Sequence, residues 1–589
     1  MNGASIVPAQ AMAVAVARDR QFRPPQRPRF IRELTVLWQR DGLIVDGTGE
    51  CQVLRGAAVG SLLPRLLPLL DGEHTVADLA QALTDVPRRD LDAAIALLYT
   101  RGLLEEGDSR PAQPAHDRET VGFFRRHLDI TRVNPSAGAA LARLGHSHVY
   151  VQLSASLDQS LFAHVARHLL AAGVGAVSPL GLTGDVQAAL RRSRDSRRQF
   201  VVALVDADNE SDASVAELAQ ACLSSGVPWL RGGLSAGRHT AVIGPYFEAG
   251  VTTCYQCYLA QHQAAANTRV PNVARASMAR LWADLLVLET VYLLSRIGPL
   301  ASGAGFTSID TVTWRSQNLR LVRTPGCPCC RPVQSVPADA PIEPAVRYED
   351  AVAFPPRHLV DPKAHQTHYH VAHVALARDC KTYPGASIRR LAPPAELPMP
   401  SCDLTMLWEA AYPPAAGPLE LDHVATLLLL TGGVRHRTSA GKWQRWTATG
   451  GNLGSVELYL LARDVRGLEC GCYYYDSGQH GLARLPGADT QAEVAARLRA
   501  WMGDNGRLPP ALLVCGAALR RVYRKYGPFA YRIVHLDAGL ATAQLRAVAT
   551  GLHVASATVP TWPESTVMSD LGLDVDAECV TALVTLGGA

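Results

Sequence analysis

The sequence has no strong charge bias, no long apolar run and too few cysteines for a disulfide scaffold. Its 589 residues carry 57 Lys plus Arg against 53 Asp plus Glu, a formal net charge of +4. No field on the scale of a nucleic-acid binder follows, and no nucleic-acid partner is expected. No window approaches the ~18 apolar residues of a membrane-spanning helix. Even LLLLTGG at 427–433 is broken by glycines, so no membrane partner is expected either. The first twenty residues lack the charged and apolar regions of a secretion signal. Thirteen cysteines in so long a chain are not disulfide-dense, and a cytoplasmic protein with reduced thiols is expected. At ~150 residues per domain, the length predicts three or four units.

The cysteines that are there are paired. Cys254 and Cys257 stand two residues apart in TTCYQCYLA, and Cys327 and Cys330 repeat that spacing in GCPCCRP. Each short turn points two thiolates at one centre, so the two pairs predict one tetrahedral zinc ion (Zn2+). Four thiolates leave no open position, which makes the ion structural rather than catalytic. Cys329 is a spare thiol that could enter in another register.

Residues 1–28 end in RQFRPPQRP, without periodicity, and read as a flexible arm. Residues 29–107 hold three short strand-like runs, ELTVLWQ, GLIVDG and CQVLRG, followed by helix-like stretches. Thr75 and Pro87 mark helix starts, and Leu91, Ile95 and Leu98 share one helical face. This reads as a winged-helix-like unit. Residues 120–332 alternate strand and helix, with buried strands expected at 148–153, 200–207 and 227–233 and a long apolar helix at 277–298 between the cysteine pairs. A proline-rich linker covers 333–348, and 349–589 form another α+β unit. The fold class is therefore a multidomain chain of α/β and α+β units.

Within the last unit, TATGGNLGSVELYLLAR places Gly450, Gly451 and Gly454 before an apolar strand, and a turn leads to a second, aromatic strand, CYYYD. Glycines allow backbone to approach a flat ligand closely, although a tight turn alone accounts for them equally well. Lys525 and Tyr526 lie in RRVYRKYGPFAYRIVHLDAG, which also reads simply as a basic helix end closed by Gly527.

Together these stretches resemble a known family. TGGVRHR (431–437), TGGNLGSVELYLLAR (449–463), GCYYYDSGQHGL (471–482), KYGPFAYRIVHLDAG (525–539) and LGLDVDAECVTALVTLG (571–587) are similar to the streptolysin-type azoline dehydrogenases of thiazole/oxazole-modified peptide pathways, a branch of the nitroreductase-like FMN flavoproteins. Residues 29–332 resemble the leader-peptide-binding partner proteins of the same pathways, a winged-helix recognition element joined to a ThiF-type, ubiquitin-activating-like domain with a four-cysteine zinc site.

The resemblance implies FMN-dependent oxidation of peptide azolines to azoles. Tyr526 would be the base and Lys525 its electrostatic helper, with Thr449, Gly451 and Asn452 near the flavin ring. It implies a precursor peptide whose leader adds as a strand near Val53 and Leu54 and packs near Leu91, Ile95 and Leu98. A YcaO-type cyclodehydratase partner and a homodimer through the flavoprotein half are also implied. Two departures stand out. HVYVQLSASLDQS has no glycine to admit a phosphate, so no ATP chemistry is expected. The family's Arg-Arg-Ser-like phosphate motif is replaced by Glu409, Ala410 and Ala411, leaving Arg389, Arg390, Arg435, Arg437 and, first among them, Arg445 as substitutes. The alternative reading is a non-catalytic leader-binding scaffold whose flavoprotein half has decayed and which presents substrate to the cyclodehydratase.

Overall fold

The computed structural model describes residues 8–107, 117–181, 186–187, 190, 197–208, 212–235, 237–261, 272–324, 327–330, 343–353, 356, 359, 363, 375–396, 417–437, 443–503 and 507–587. The chain divides into two compact units, Val7–Thr367 and His368–Ala589.

The first unit opens with a three-stranded antiparallel sheet, Thr35–Gln39, Gly42–Asp46 and Gln52–Arg55, with the second strand in the middle. Side chains alternate faces along a strand, and Leu43 and Val45 of the central strand are fully buried. The helix Val76–Ala82 starts where expected, because Thr75 and Asp78 cap each other's backbone N–H groups. Pro87 precedes the helix Arg88–Thr100. Leu91, Ile95 and Leu98 of that helix join Leu43, Val45 and Leu54 in one core.

The flexible-arm expectation for residues 1–28 differs from what the described part of that segment does. Ala9–Arg18 is a helix that packs on Arg88–Thr100 and buries Met12 and Ala15, and Pro28–Phe30 pairs with Leu104–Glu106. Alanine carries the lowest helical cost of any residue, and its small side chain lets two helices approach closely.

The rest of this unit is built on a seven-stranded sheet in the order Ser316–Arg320, Gly305–Asp310, Thr240–Phe247, Trp229–Ser235, Arg198–Asp206, Ser147–Leu153, Ala176–Pro179. The last four are parallel and the remainder antiparallel. Strands of a parallel sheet are covered on both faces and read as continuous apolar runs, which is why 148–153, 200–207 and 227–233 were legible. The helix Asn272–Ser295 packs its Trp282, Ala283 and Leu286 into the core of this sheet. At the end of the first parallel strand, the Ser156 hydroxyl donates to Asp206 across the loop that lacks glycine.

The second unit is a seven-stranded sheet ordered Ile388–Arg390, Gly481–Leu485, Gly471–Asp476, Val456–Ala462, Ala511–Ala517, Cys579–Leu586, Ser556–Thr558, antiparallel throughout. Along Val456–Ala462, Leu458, Leu460 and Ala462 face one core while Tyr459 and Leu461 face the other. The helices Leu421–Gly432 and Ala530–Gly551 cover the first face; Gln491–Met502 and Glu564–Leu571 cover the second. The predicted Gly-rich turn, apolar strand and aromatic strand are all present, the two strands pairing antiparallel from Tyr459↔Tyr474 to Ala462↔Gly471.

Candidate functional site

The Gly-rich loop is a short turn, Gly450–Asn452, held in left-handed backbone conformations. Gly451 has φ +62°, Asn452 +57° and Gly454 +63°, a region that costs residues with a Cβ roughly 1–2 kcal/mol. Thr449 braces the loop: its carbonyl accepts from Asn452 N–H at 2.9 Å and its hydroxyl accepts from Gly454 N–H at 3.1 Å. Beneath it, Asp537 on the helix Ala530–Gly551 accepts Gly450 N–H at 2.9 and 3.0 Å and also the Ser455 hydroxyl. Burial raises the Asp537 carboxyl above its ordinary value, against the pull of those two donors.

The predicted catalytic pair comes to this loop. Lys525 and Tyr526 end the helix Leu519–Tyr526, and Gly527, at φ +56°, closes it. A Cβ on Gly451 would lie 2.3 Å from Lys525 Nζ and 2.6 Å from Tyr526 Oη. Gly451 is therefore where the loop backbone packs directly against the ends of both side chains. Lys525 Nζ sits 5.2 Å from the Tyr526 ring centroid, within cation–π range.

A buried polar network supports the arrangement from below. Arg521 pairs with Glu457 at 2.7 Å and donates to Gly454 O at 2.7 Å, while the Tyr474 hydroxyl donates to the other Glu457 oxygen. Burial works against its charge, yet the Glu457 carboxylate holds Arg521 above its ordinary value. Arg521, Glu457 and Asp537 did not stand out in the sequence. Their one signal was polarity inside apolar runs, Glu457 in GSVELYLL and Asp537 in IVHLDAGLA.

Arg445, the first candidate for a flavin phosphate, spends its guanidinium on protein carbonyls, Asn452 O at 3.3 Å and Ala377 O at 2.9 Å. It props the loop, and burial lowers its affinity for its proton. Arg435 and Arg437 lie on the neighbouring strand Val434–Arg437 with exposed side chains, stacked over Trp446 and Trp443. Arg389 and Arg390 are exposed on the edge strand Ile388–Arg390. Glu409, Ala410 and Ala411 lie outside the described residues.

In the first unit the four cysteines converge. Cys254 Sγ and Cys327 Sγ are 3.5 Å apart, Cys257 Sγ and Cys330 Sγ 3.6 Å, and all four sulfurs lie within 4.8 Å of one another. An ion bound at about 2.3 Å by four thiolates in a tetrahedron separates the sulfurs by about 3.8 Å, so the donor set fits a metal. The Thr324 N–H donates to Cys257 Sγ at 3.2 Å. Hydrogen bonds from Cys254, Cys330 and Thr324 pull the Cys257 thiol below its ordinary value, while the hydrogen bond to Cys257 pushes Cys254 up, so without an ion the thiols share their protons.

The peptide-site residues separate. Val53 is 54% exposed on the strand Gln52–Arg55, whose one strand partner among the described residues is Gly42–Asp46, whereas Leu54, Leu91, Ile95 and Leu98 are core.

An antiparallel sheet clad by helices on both faces, with a Gly-rich loop set against a Lys–Tyr pair, defines an α+β unit with the makings of a flat-ligand site. A model of the Nitroreductase family matches residues 401–588. The C-terminal part of the chain is thus a nitroreductase domain, and the match points to an oxidoreductase. Proteins of that family typically bind a flavin, and the left-handed backbone at Gly451 and Gly454, with the exposed Arg435 and Arg437 on the neighbouring strand, offers the amide and guanidinium donors such a group takes. MJ1384 of Methanocaldococcus jannaschii, named as a nitroreductase, is 30% identical over 104 residues, 18% of this chain and 52% of that protein. The chain spans about half the length of this curated relative. Solved structures similar to stretches of the chain include E. coli MccB (TM-score 0.39, 12% identity, 53% of this chain and 99% of that one). The heterocyclase TruD gives a TM-score of 0.37 at 17% identity over 58% of this chain and 51% of that one. A protein of Ralstonia eutropha named as a nitroreductase gives 0.28 at 18% identity over 35% and 92%.

Proposed function

We propose that this chain is an FMN-dependent azoline dehydrogenase guided by the leader of a precursor peptide. The observation that carries the reading is the meeting of Gly451 with Lys525 Nζ and Tyr526 Oη. An azoline becomes an azole by losing a hydride and a proton. No side chain accepts a hydride, and the flavin, when bound, supplies that acceptor. The chain's own residues handle the proton and the geometry. Tyr526 Oη takes the proton from the ring carbon, and the Lys525 ammonium favours the phenolate that does so. Lys525 and Tyr526 stand directly against Gly451, so the ring would lie beside that pair, with Thr449 and Asn452 fixing the turn and Arg445 propping it. Arg435 and Arg437, exposed on the strand beside the loop, are guanidinium groups suited to the phosphate, Arg435 first because Arg437 already donates to Gly478 O.

The other parts of the reading rest on particular surfaces. The strand Gln52–Arg55 pairs on one side only within its described sheet, which suits addition of a leader strand; Val53 offers an exposed apolar side chain for it to pack on. The four-cysteine cluster holds zinc as a structural ion. The helix Ala530–Gly551 exposes Leu536 (61%) and Leu540 (53%) one turn apart, an apolar stripe suited to a second copy of this half. A YcaO-type cyclodehydratase supplies the azolines, and the cytoplasm is the compartment.

The test is an azoline-bearing precursor incubated with the flavin-loaded chain under mass spectrometry. The account expects each ring to lose the mass of two hydrogens. A chain that binds leader peptide but neither binds flavin nor removes hydrogen is the scaffold instead.

A further inference from the structure

Away from the cysteine cluster and the flavoprotein unit, three metal-binding side chains converge across two helices. His164 and His168 are four residues apart on Ser160–Ala171, so both rings leave the same face of the helix. They stand at 87° to each other with centroids 4.3 Å apart. Asp284, on the packed helix Asn272–Ser295, puts its Oδ1 2.7 Å from His164 Nε2 and 3.3 Å from His168 Nδ1. His168 Nδ1 is shielded from solvent yet makes no hydrogen bond of acceptable geometry.

We propose that His164, His168 and Asp284 form a second metal site, for a divalent transition-metal ion that favours imidazole, such as zinc or copper. Bonds of about 2.0–2.1 Å from such an ion place its donor atoms roughly 2.9–3.4 Å apart. The two separations to Asp284 Oδ1 need only a few tenths of an ångström of movement, and all three donor atoms already lie within 4.8 Å of one another; side chains at 19%, 38% and 48% exposure can adjust the rest. Two imidazoles and a carboxylate suit zinc, copper or nickel rather than calcium or magnesium. With three protein ligands, a fourth position stays open to water. The ion would tie Ser160–Ala171 to Asn272–Ser295, and it shares no ligand with the four cysteines.

Calorimetric titration of the full chain, its four-cysteine site already loaded, with zinc chloride in chelator-free buffer tests this. One further equivalent is expected to bind. His168→Ala and Asp284→Asn should each weaken it at least tenfold, and His146→Gln, at an exposed histidine, should leave it unchanged. Circular dichroism without added metal checks folding, and His168→Gln, which preserves side-chain bulk, is the second variant expected to lose the same equivalent. Copper(II) in place of zinc should show coupling to two imidazole nitrogens by paramagnetic resonance. No further equivalent in the unmutated chain, or an unchanged one in either His168 variant, would overturn the site.

Discussion

Gly451 carries two constraints at once, a φ of +62° and the ends of the Lys525 and Tyr526 side chains within 2.6 Å of where a Cβ would stand. Gly451→Ala should therefore cost roughly 1–2 kcal/mol from the left-handed backbone alone. It should also displace Lys525 Nζ, so that flavin affinity falls with stability; urea denaturation and flavin titration read the two effects separately. Asp537 gives a pH signature. Its carboxyl is raised by burial, so the folded chain binds more protons there than the unfolded one. Its contribution is fully present below the unfolded carboxyl value near 4 and is lost as pH rises through the raised folded value. Asp537→Asn should remove that fall: denaturation at pH 4 and pH 7 should show the unmutated chain losing more stability than the variant. The Lys525–Tyr526 pair was legible only through family resemblance, because residues this far along the chain from Gly451 meet only by tertiary packing. Asp537 drew no notice because its donors, Gly450 N–H and the Ser455 hydroxyl, lie on a loop some eighty residues away.

At the scale of elements, apolar runs told the truth wherever both faces of a strand are covered. Ser147–Leu153, Arg198–Asp206 and Trp229–Ser235 sit within a few residues of where the sequence put them. The helix Ala9–Arg18 was missed because its alanines and valines offer little polar contrast and a proline-rich run follows. The helix Arg88–Thr100 was read correctly, but its Leu91–Ile95–Leu98 face packs inward. That divides a pair of substitutions. Val53→Asp, at an exposed edge position, should weaken leader binding with little change in stability. Ile95→Asp, at 4% exposure, should unfold the domain by burying an unpaired charge. Fluorescence anisotropy with a labelled leader peptide and thermal melts distinguish the two; loss of stability in Val53→Asp would count against the edge as the docking strand.

On the whole molecule, the two cysteine pairs, separated in sequence by the long helix Asn272–Ser295, close on one point. Spacing alone made that visible, since a CxxC turn fixes its own local geometry. Metal binding there is folding free energy. A strong chelator should lower the melting temperature of the unit Val7–Thr367 while His368–Ala589 melts unchanged, as followed by calorimetry. Elemental analysis of freshly purified chain should show the zinc, and its absence would count against the ion. The central claim, that Tyr526 takes the azoline proton while a flavin takes the hydride, is tested most directly by single-turnover oxidation of an azoline precursor with the unmutated chain and Tyr526→Phe, each loaded with FMN and checked for bound flavin. The account predicts equal flavin binding and a rate lower by about 10²–10⁴-fold in the variant; an unchanged rate would contradict it.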